Sequence, residues 1–228
     1  MKILITSGGT TEKIDQVRGI TNHSSGRLGK KIAEKFLAVN HQVTLVTTAS
    51  AIKPKKHANL SIIEITDVNN LIETLEPLVK SHHVLIHSMA VSDYTPLYMT
   101  DLAEIEETND LSQLLTKTNK ERKISSQADY QVLFLKKTPK VISLVKQWNP
   151  SIQLIAFKLL VNVSKEELFQ VARSSLKKNQ ADYILANDLT MISADKHLAY
   201  LLDDTNAYMA ETKAEIADLI FEKVRKND

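Results

Sequence analysis

All five glycines of this 228-residue chain, Gly8, Gly9, Gly19, Gly26 and Gly29, fall within its first 29 positions. Glycine serves where backbone takes a positive φ or approaches a ligand closely, and folding it costs more entropy than any other residue. Gly8 and Gly9 follow a short apolar run at 2–6. Ser24, Ser25 and Gly26 precede Leu28, Ile32, Phe36 and Leu37, which recur at helical spacing. A helix opening near 24–26 aims free N–H groups and its positive dipole end at an anion. The chemistry on offer is the gripping of a phosphate. A βα loop usually takes two to six residues and this connection takes roughly 18, so it reads as a functional loop.

The elements that must position such a loop alternate along the chain. Strands are expected at 2–6, 43–47, 61–65, 84–88, 132–136, 153–157, 183–186 and 198–202, and helices at 68–80, 139–148, 165–179 and 212–225. Pro139 suits the opening of its helix. This order predicts an α/β fold with a Rossmann-like, mostly parallel sheet and helices on both faces. The polar stretch 95–126 is expected to form a small excursion, flap or dimer contact within one domain spanning 1–228. Ligands of such sheets lie beyond the carboxyl ends of the strands, near the switch in strand order. The polar clusters there are 7–10, 88–94, 136–140, 157–159 and 186–188. They contribute Ser88, Met89, Ala90, Asp93, Pro139, Lys140, Val141, Ile142, Phe157 and Asn187 as candidate site residues.

Several chemistries are excluded. Without cysteine there is no disulfide, thiolate metal site or cysteine nucleophile, and the seven histidines form no H-E-x-x-H pair. A net charge of +2 with interspersed signs gives no electrostatic footprint for nucleic acid. No run approaches the roughly 18 apolar residues of a membrane span, and the N-terminus lacks the apolar stretch of a secretory signal, so a cytoplasmic location is expected. No Walker A motif occurs. A nicotinamide oxidoreductase, the alternative reading, would want G-x-G-x-x-G after the first strand and a carboxylate ending the second. Here the second strand ends in Val46, Thr47 and Thr48.

The stretch SGGTTEKIDQVRGITNHSSGRLG at 7–29 closely resembles the N-terminal signature of phosphopantothenoylcysteine synthetases. Shorter matches follow in MAVSDY (89–94), KISS (123–126), LKKTPKVI (135–142), AFKL (156–159) and LANDL (185–189), so the resemblance spans nearly the whole chain. It implies a ligase that joins cysteine to 4'-phosphopantothenate through an acyl cytidylate, consuming CTP with magnesium. By resemblance, Asn22 and Lys123 are the catalytic pair. Asn22 contacts the pantothenate part of the intermediate, and Lys123 meets the α-phosphate. Gly8, Gly9, Thr10, Ser24, Ser25, Gly26, Ser88, Met89, Ala90, Asp93, Pro139, Lys140, Val141, Ile142, Phe157 and Lys178 bind nucleotide. Asn22, Arg27 and Asn187 bind substrate, and no protein metal ligand is expected. The family implies a homodimer, and an opening Met1 implies its stand-alone form without flavin. Where many bacterial members carry Lys-Ile-Lys-Lys, this chain has Lys123, Ile124, Ser125 and Ser126, closer to eukaryotic members that use ATP, so ATP remains the alternative nucleotide.

Overall fold

In β1 (Lys2–Thr6) Ile3, Leu4 and Ile5 are all fully buried, as a strand covered on both faces requires. Successive side chains of a strand point to opposite faces, so Ile3 and Ile5 enter one core layer and Leu4 the other. The computed structural model describes residues 1–193 and 195–225.

After β1 comes a hairpin of two short strands, β2 (Thr11–Lys13) and β3 (Gly19–Thr21). The chain then forms α1 (Arg27–Leu37), β4 (Gln42–Thr47), β5 (Leu60–Glu64), α2 (Val68–Ser81) and β6 (Val84–His87). An arm follows, made of β7 (Tyr94–Asp101), α3 (Leu102–Glu107), a short 3₁₀ turn at Leu111–Thr116 and β8 (Gln131–Lys137). The last part comprises α4 (Val141–Trp148), β9 (Gln153–Leu160), α5 (Lys165–Asn179), β10 (Tyr183–Ile192), β11 (His197–Leu202), β12 (Ala207–Ala210) and α6 (Lys213–Arg225).

Eight strands form the main sheet in the order β12-β11-β10-β9-β6-β1-β4-β5. The six from β5 to β10 run parallel; at one edge β11 returns antiparallel to them, and β12, antiparallel to β11, runs in their direction again. β4 and β5 build outward on one side of β1, and β6 then starts the other side. The switch in strand order therefore falls between β1 and β6, where a crevice opens beyond the strand ends. Phe36 of α1 and Ile220 of α6 cover one face, while Leu71 and Leu75 of α2, Val145 of α4 and Leu176 of α5 cover the other.

The expected architecture is present, with one correction. The strand expected at 132–136 is β8, and it stands outside the main sheet, paired antiparallel with β7 in a two-stranded ribbon. A strand of the sheet interior is buried on both faces, whereas no residue of β8 is fully buried and Leu135 to Lys137 are exposed. The segment 95–126 forms most of this arm. Its far end, beyond β7, is fixed by Glu104, which accepts hydrogen bonds from Lys117 Nζ (2.5 Å), Tyr98 Oη (2.8 Å) and the Thr100 hydroxyl. These donors hold the Glu104 carboxyl down at about 2.

Candidate functional site

The carboxyl ends of β1, β6, β9 and β10 open into a cleft of about 500 Å³, lined among others by Ser7, Ser88, Phe157 and Asn187. Three helix N-termini meet it. α1 starts there after the β2–β3 hairpin and α4 after the arm, and α6 starts there because β12 runs parallel to β10 and ends at the same edge.

The helix starts at this edge differ in how their N–H groups are satisfied. α2 is capped by the Asp67 side chain and α5 by Ser164. α1 has Gly26 at its N-cap with φ 74°, and α4 has Lys140; neither receives a side-chain cap or an acid in its first turn. Their first amides are thus left for an outside acceptor. Gly26 is needed at that position because a left-handed φ strains any residue with a Cβ. Ser24, Ser25 and Arg27 flank it in the cleft wall, and Pro139, Val141 and Ile142 flank Lys140.

Charge agrees with those amides. Arg27, Lys140, Lys158 and Lys213 line the cleft, and among the described residues Asp93 is its single carboxylate. Asp93 is ion-paired with Lys140, both more than half exposed, so the pair contributes little stability and remains free to rearrange around a ligand. The loop carrying Ser88, Met89, Ala90 and Asp93 is held by its neighbours. Ser92 N–H donates to Thr10 Oγ1 (2.9 Å), and Thr138 Oγ1 donates to Ser92 O (2.6 Å). Among the described residues no group of three His, Cys, Asp or Glu side chains could hold a metal.

Two buried histidines border the cleft. His87 Nδ1 lies 2.7 Å from Thr6 Oγ1, and His197 Nε2 lies 2.9 Å from Asn187 Nδ2. Burial lowers His87 to about 4. Burial, helped by the nearby Lys213 charge, lowers His197 to about 4. An unfolded chain takes up protons on both rings below about pH 6.5, and the folded rings stay neutral until about pH 4. Their contribution to stability is complete above pH 6.5 and is lost as pH falls toward 4, at about 1.4 kcal/mol per pK unit. We expect the urea midpoint to drop through that window and His87→Gln to flatten the fall. Parallel pH profiles for the two proteins would contradict this.

Most of the candidate residues meet here, and some stand elsewhere. Gly8, Gly9 and Thr10 are buried and do not line the cleft. They extend β1 alongside Ala90: Ala90 N–H donates to Gly8 O (2.9 Å) and Thr10 N–H to Ala90 O (3.0 Å). Asn22 sits beside this stitch, with its Nδ2 3.5 Å from Ser92 Oγ. Lys123 is exposed on the arm, outside the cleft. Its neighbours are fastened to the tip of the β2–β3 hairpin. Asp15 accepts from the Arg18 guanidinium (2.6 and 3.0 Å) and from Ile124 N–H (3.2 Å), while Arg18 also donates to Ile124 O (2.9 Å). Lys178 is corrected: it is exposed at the C-terminal end of α5, where β10 begins. A helix leading into a parallel strand ends at the edge opposite the cleft, so Lys178 does not reach this site within one chain.

Gly29, His87, Lys158, His197 and Lys213 were not among the expected site residues. A Cβ on Gly29 would lie 2.4 Å from Ser7 Oγ, so this glycine sets how closely α1 rests on the end of β1. It follows Gly26 in the glycine cluster, which was the signal that could have marked it. Lys158 lies in the polar cluster 157–159 at its strand end, which could have marked it, whereas His87, His197 and Lys213 carry no sequence pattern.

Comparison with known proteins agrees with this geometry. The model of the DNA/pantothenate metabolism flavoprotein C-terminal domain matches residues 1–114 and 110–227. The chain is 31% identical over 229 residues to the coenzyme A biosynthesis bifunctional protein CoaBC of Thermococcus kodakarensis, covering 99% of this chain and 51% of that protein. It is 32% identical over 238 residues to the CoaBC protein of Methanocaldococcus jannaschii, covering 99% and 50%. It thus spans about half the length of the curated relatives it matches. Among solved structures it resembles the DNA/pantothenate metabolism flavoprotein from Streptococcus pneumoniae, with 55% identity, a TM-score of 0.96 and full coverage of both chains.

Proposed function

Because the chain belongs to the family of the DNA/pantothenate metabolism flavoprotein C-terminal domain, we propose that it ligates cysteine to 4'-phosphopantothenate in coenzyme A synthesis, with CTP as the activating nucleotide. The observation that carries this reading is the pair of uncapped helix starts, α1 and α4, facing one cleft that has four cationic side chains and a single carboxylate. Such a cleft suits a polyphosphate and an acid bound together.

In the first step a carboxylate oxygen of phosphopantothenate attacks the α-phosphorus of CTP, and the bond to the β-phosphate oxygen breaks. Pyrophosphate leaves. In the second step the cysteine amine attacks the acyl carbon of the mixed anhydride, CMP leaves with the bonding electrons, and the amine loses a proton. Neither step needs a covalent protein nucleophile, so the chain's task is positioning and charge neutralisation. The amides of α1 and α4 hold phosphate oxygens, Asp93 accepts from base or ribose, Phe157 packs on the base, and Asn22 orients the pantothenate amide.

The role of Lys123 is carried over from the resemblance of its segment and requires the arm to move, because Lys123 stands exposed outside the cleft. Two chains pair in this reading, and the arm, with exposed Leu102, Leu111, Leu115 and Tyr130, contributes to the contact and closes over the nucleotide. Lys123 then meets the α-phosphate as charge develops on it. Among the described residues no helix is long and apolar enough to cross a membrane, and we place the reaction in the cytoplasm.

The test is pyrophosphate release with phosphopantothenate and each of CTP, ATP, UTP and GTP. CTP is expected to be favoured. Release with ATP alone would transfer the reading to the alternative nucleotide, and release with none would refute ligation.

A further inference from the structure

The tip of the β2–β3 hairpin and the arm are joined through one carboxylate. The Asp15 side chain is fully enclosed, and its two oxygens serve different partners. Oδ1 accepts from Val17 N–H (2.8 Å) and Arg18 N–H (2.7 Å), which shapes the hairpin turn. Oδ2 accepts from Arg18 Nε and Nη2 (3.0 and 2.6 Å) and, from the arm, Ile124 N–H (3.2 Å). Arg18 Nη2 also donates to Ile124 O (2.9 Å), and Gln16 N–H donates to Arg122 O (3.1 Å). Backbone on both sides of Lys123 is therefore bound to the hairpin, with the Ile124 side chain buried and Lys123 left exposed. The Oδ1 contacts account for the turn, and the Oδ2 contacts go beyond it.

The chain around Lys123 gives those further contacts their importance. Residues 117–130 contain no helix or strand. A nearby tie is made by the Asn119 side chain, which bonds to Met99 N–H and O (2.7 and 2.9 Å). Ordering an irregular stretch at the moment of reaction costs conformational entropy, and fixing its backbone beforehand removes that cost. The hairpin that does the fixing has its root beside the cleft. Its strands lead out from Thr10 and back into Asn22, where Asn22 N–H donates to Thr10 O (3.3 Å). The 122–124 backbone thus travels with the hairpin when the arm moves. The Arg18 guanidinium holds the Asp15 carboxyl below the usual carboxylate range, so the pair stays charged at neutral pH.

We propose that Asp15 is a positioning residue for the activation step: through Oδ2 and Arg18 it fastens the 122–124 backbone to the hairpin, so that Lys123 meets the nucleotide already ordered. This rests on the ligase reading and on the role of Lys123 given with it.

The test is a double-mutant cycle in the full chain. Asp15→Asn keeps the Oδ1 acceptor of the turn and directs an amide NH2 at Arg18 and Ile124 N–H, so it breaks the arm contacts selectively. Arg18→Lys keeps the charge and loses the paired N–H groups. Each is made in the wild-type chain and in Lys123→Ala, and pyrophosphate release with CTP and phosphopantothenate is measured beside melting curves. In the wild-type background kcat is expected to fall about 10- to 100-fold, as for a misplaced reacting group, with KM for both substrates within about threefold. In Lys123→Ala the same substitutions should lower kcat by less than about twofold, because the fastening has nothing left to position. A simple loss of fold or of turn geometry would lower both backgrounds alike. Equal losses in the two backgrounds, or an unchanged kcat in Asp15→Asn, overturn the positioning role. Wild-type turnover in Lys123→Ala overturns it together with the role of Lys123 but leaves ligation standing. A wild-type chain that releases no pyrophosphate overturns the ligase reading and the proposal with it.

Discussion

Gly9→Ala is expected to lower stability by about 3 kcal/mol, within the range for overpacking a filled site, and to lower Tm by roughly 6–12 °C for a chain of this size. A Cβ on Gly9 would lie 2.2 Å from Asn22 O and 3.1 Å from Asn22 C. Both are backbone atoms, and no side-chain rotation relieves the contact. The displaced segment would lose the bond from Asn22 N–H to Thr10 O (3.3 Å), and with it the Thr10 contacts that hold the 88–94 loop. Binding should weaken together with stability. Thermal melts with and without CTP and phosphopantothenate measure both, and an unchanged Tm would show that Gly9 is not packed against Asn22.

Lys123→Ala should separate catalysis from folding. The side chain is exposed, and surface substitutions of this kind usually change stability by less than about 0.5 kcal/mol. The fastening of its neighbours to Asp15 and Arg18 uses their backbone atoms, which alanine leaves in place. Loss of one preorganised donor to developing charge costs about 10²- to 10³-fold in kcat. We therefore expect kcat to fall by that factor with an unchanged melt. Turnover within threefold of wild type would remove Lys123 from the transition state.

Much of this site is legible in the sequence because strand ends and helix starts leave local marks. The apolar runs of β1, β6, β9 and β10 were recognisable, and so were the small residues at 24–26 before the α1 periodicity. The short hairpin β2–β3 was not, because three-residue strands carry no measurable period. β8 was recognised as a strand and assigned to the main sheet. Its alternation is the same for a ribbon as for a sheet, and sequence does not say which partner a strand takes. Gly8 and Gly9 read as phosphate contacts, yet the structure uses them to bring backbone against Thr48 and Asn22. Of these glycines it is Gly26 that lines the cleft, at the uncapped start of α1. His197 and Lys213 carried no signal, because only the return of the chain through β11 and β12 brings them to the cleft.

The central claim is that this one cleft activates an acid with a nucleotide and passes it to an amine. The most direct test is to mix the chain with CTP and phosphopantothenate, follow pyrophosphate and CMP separately, and then add cysteine. The account predicts pyrophosphate without cysteine and CMP only after cysteine arrives. CMP that appears without an amine acceptor, or pyrophosphate that does not depend on phosphopantothenate, would contradict it.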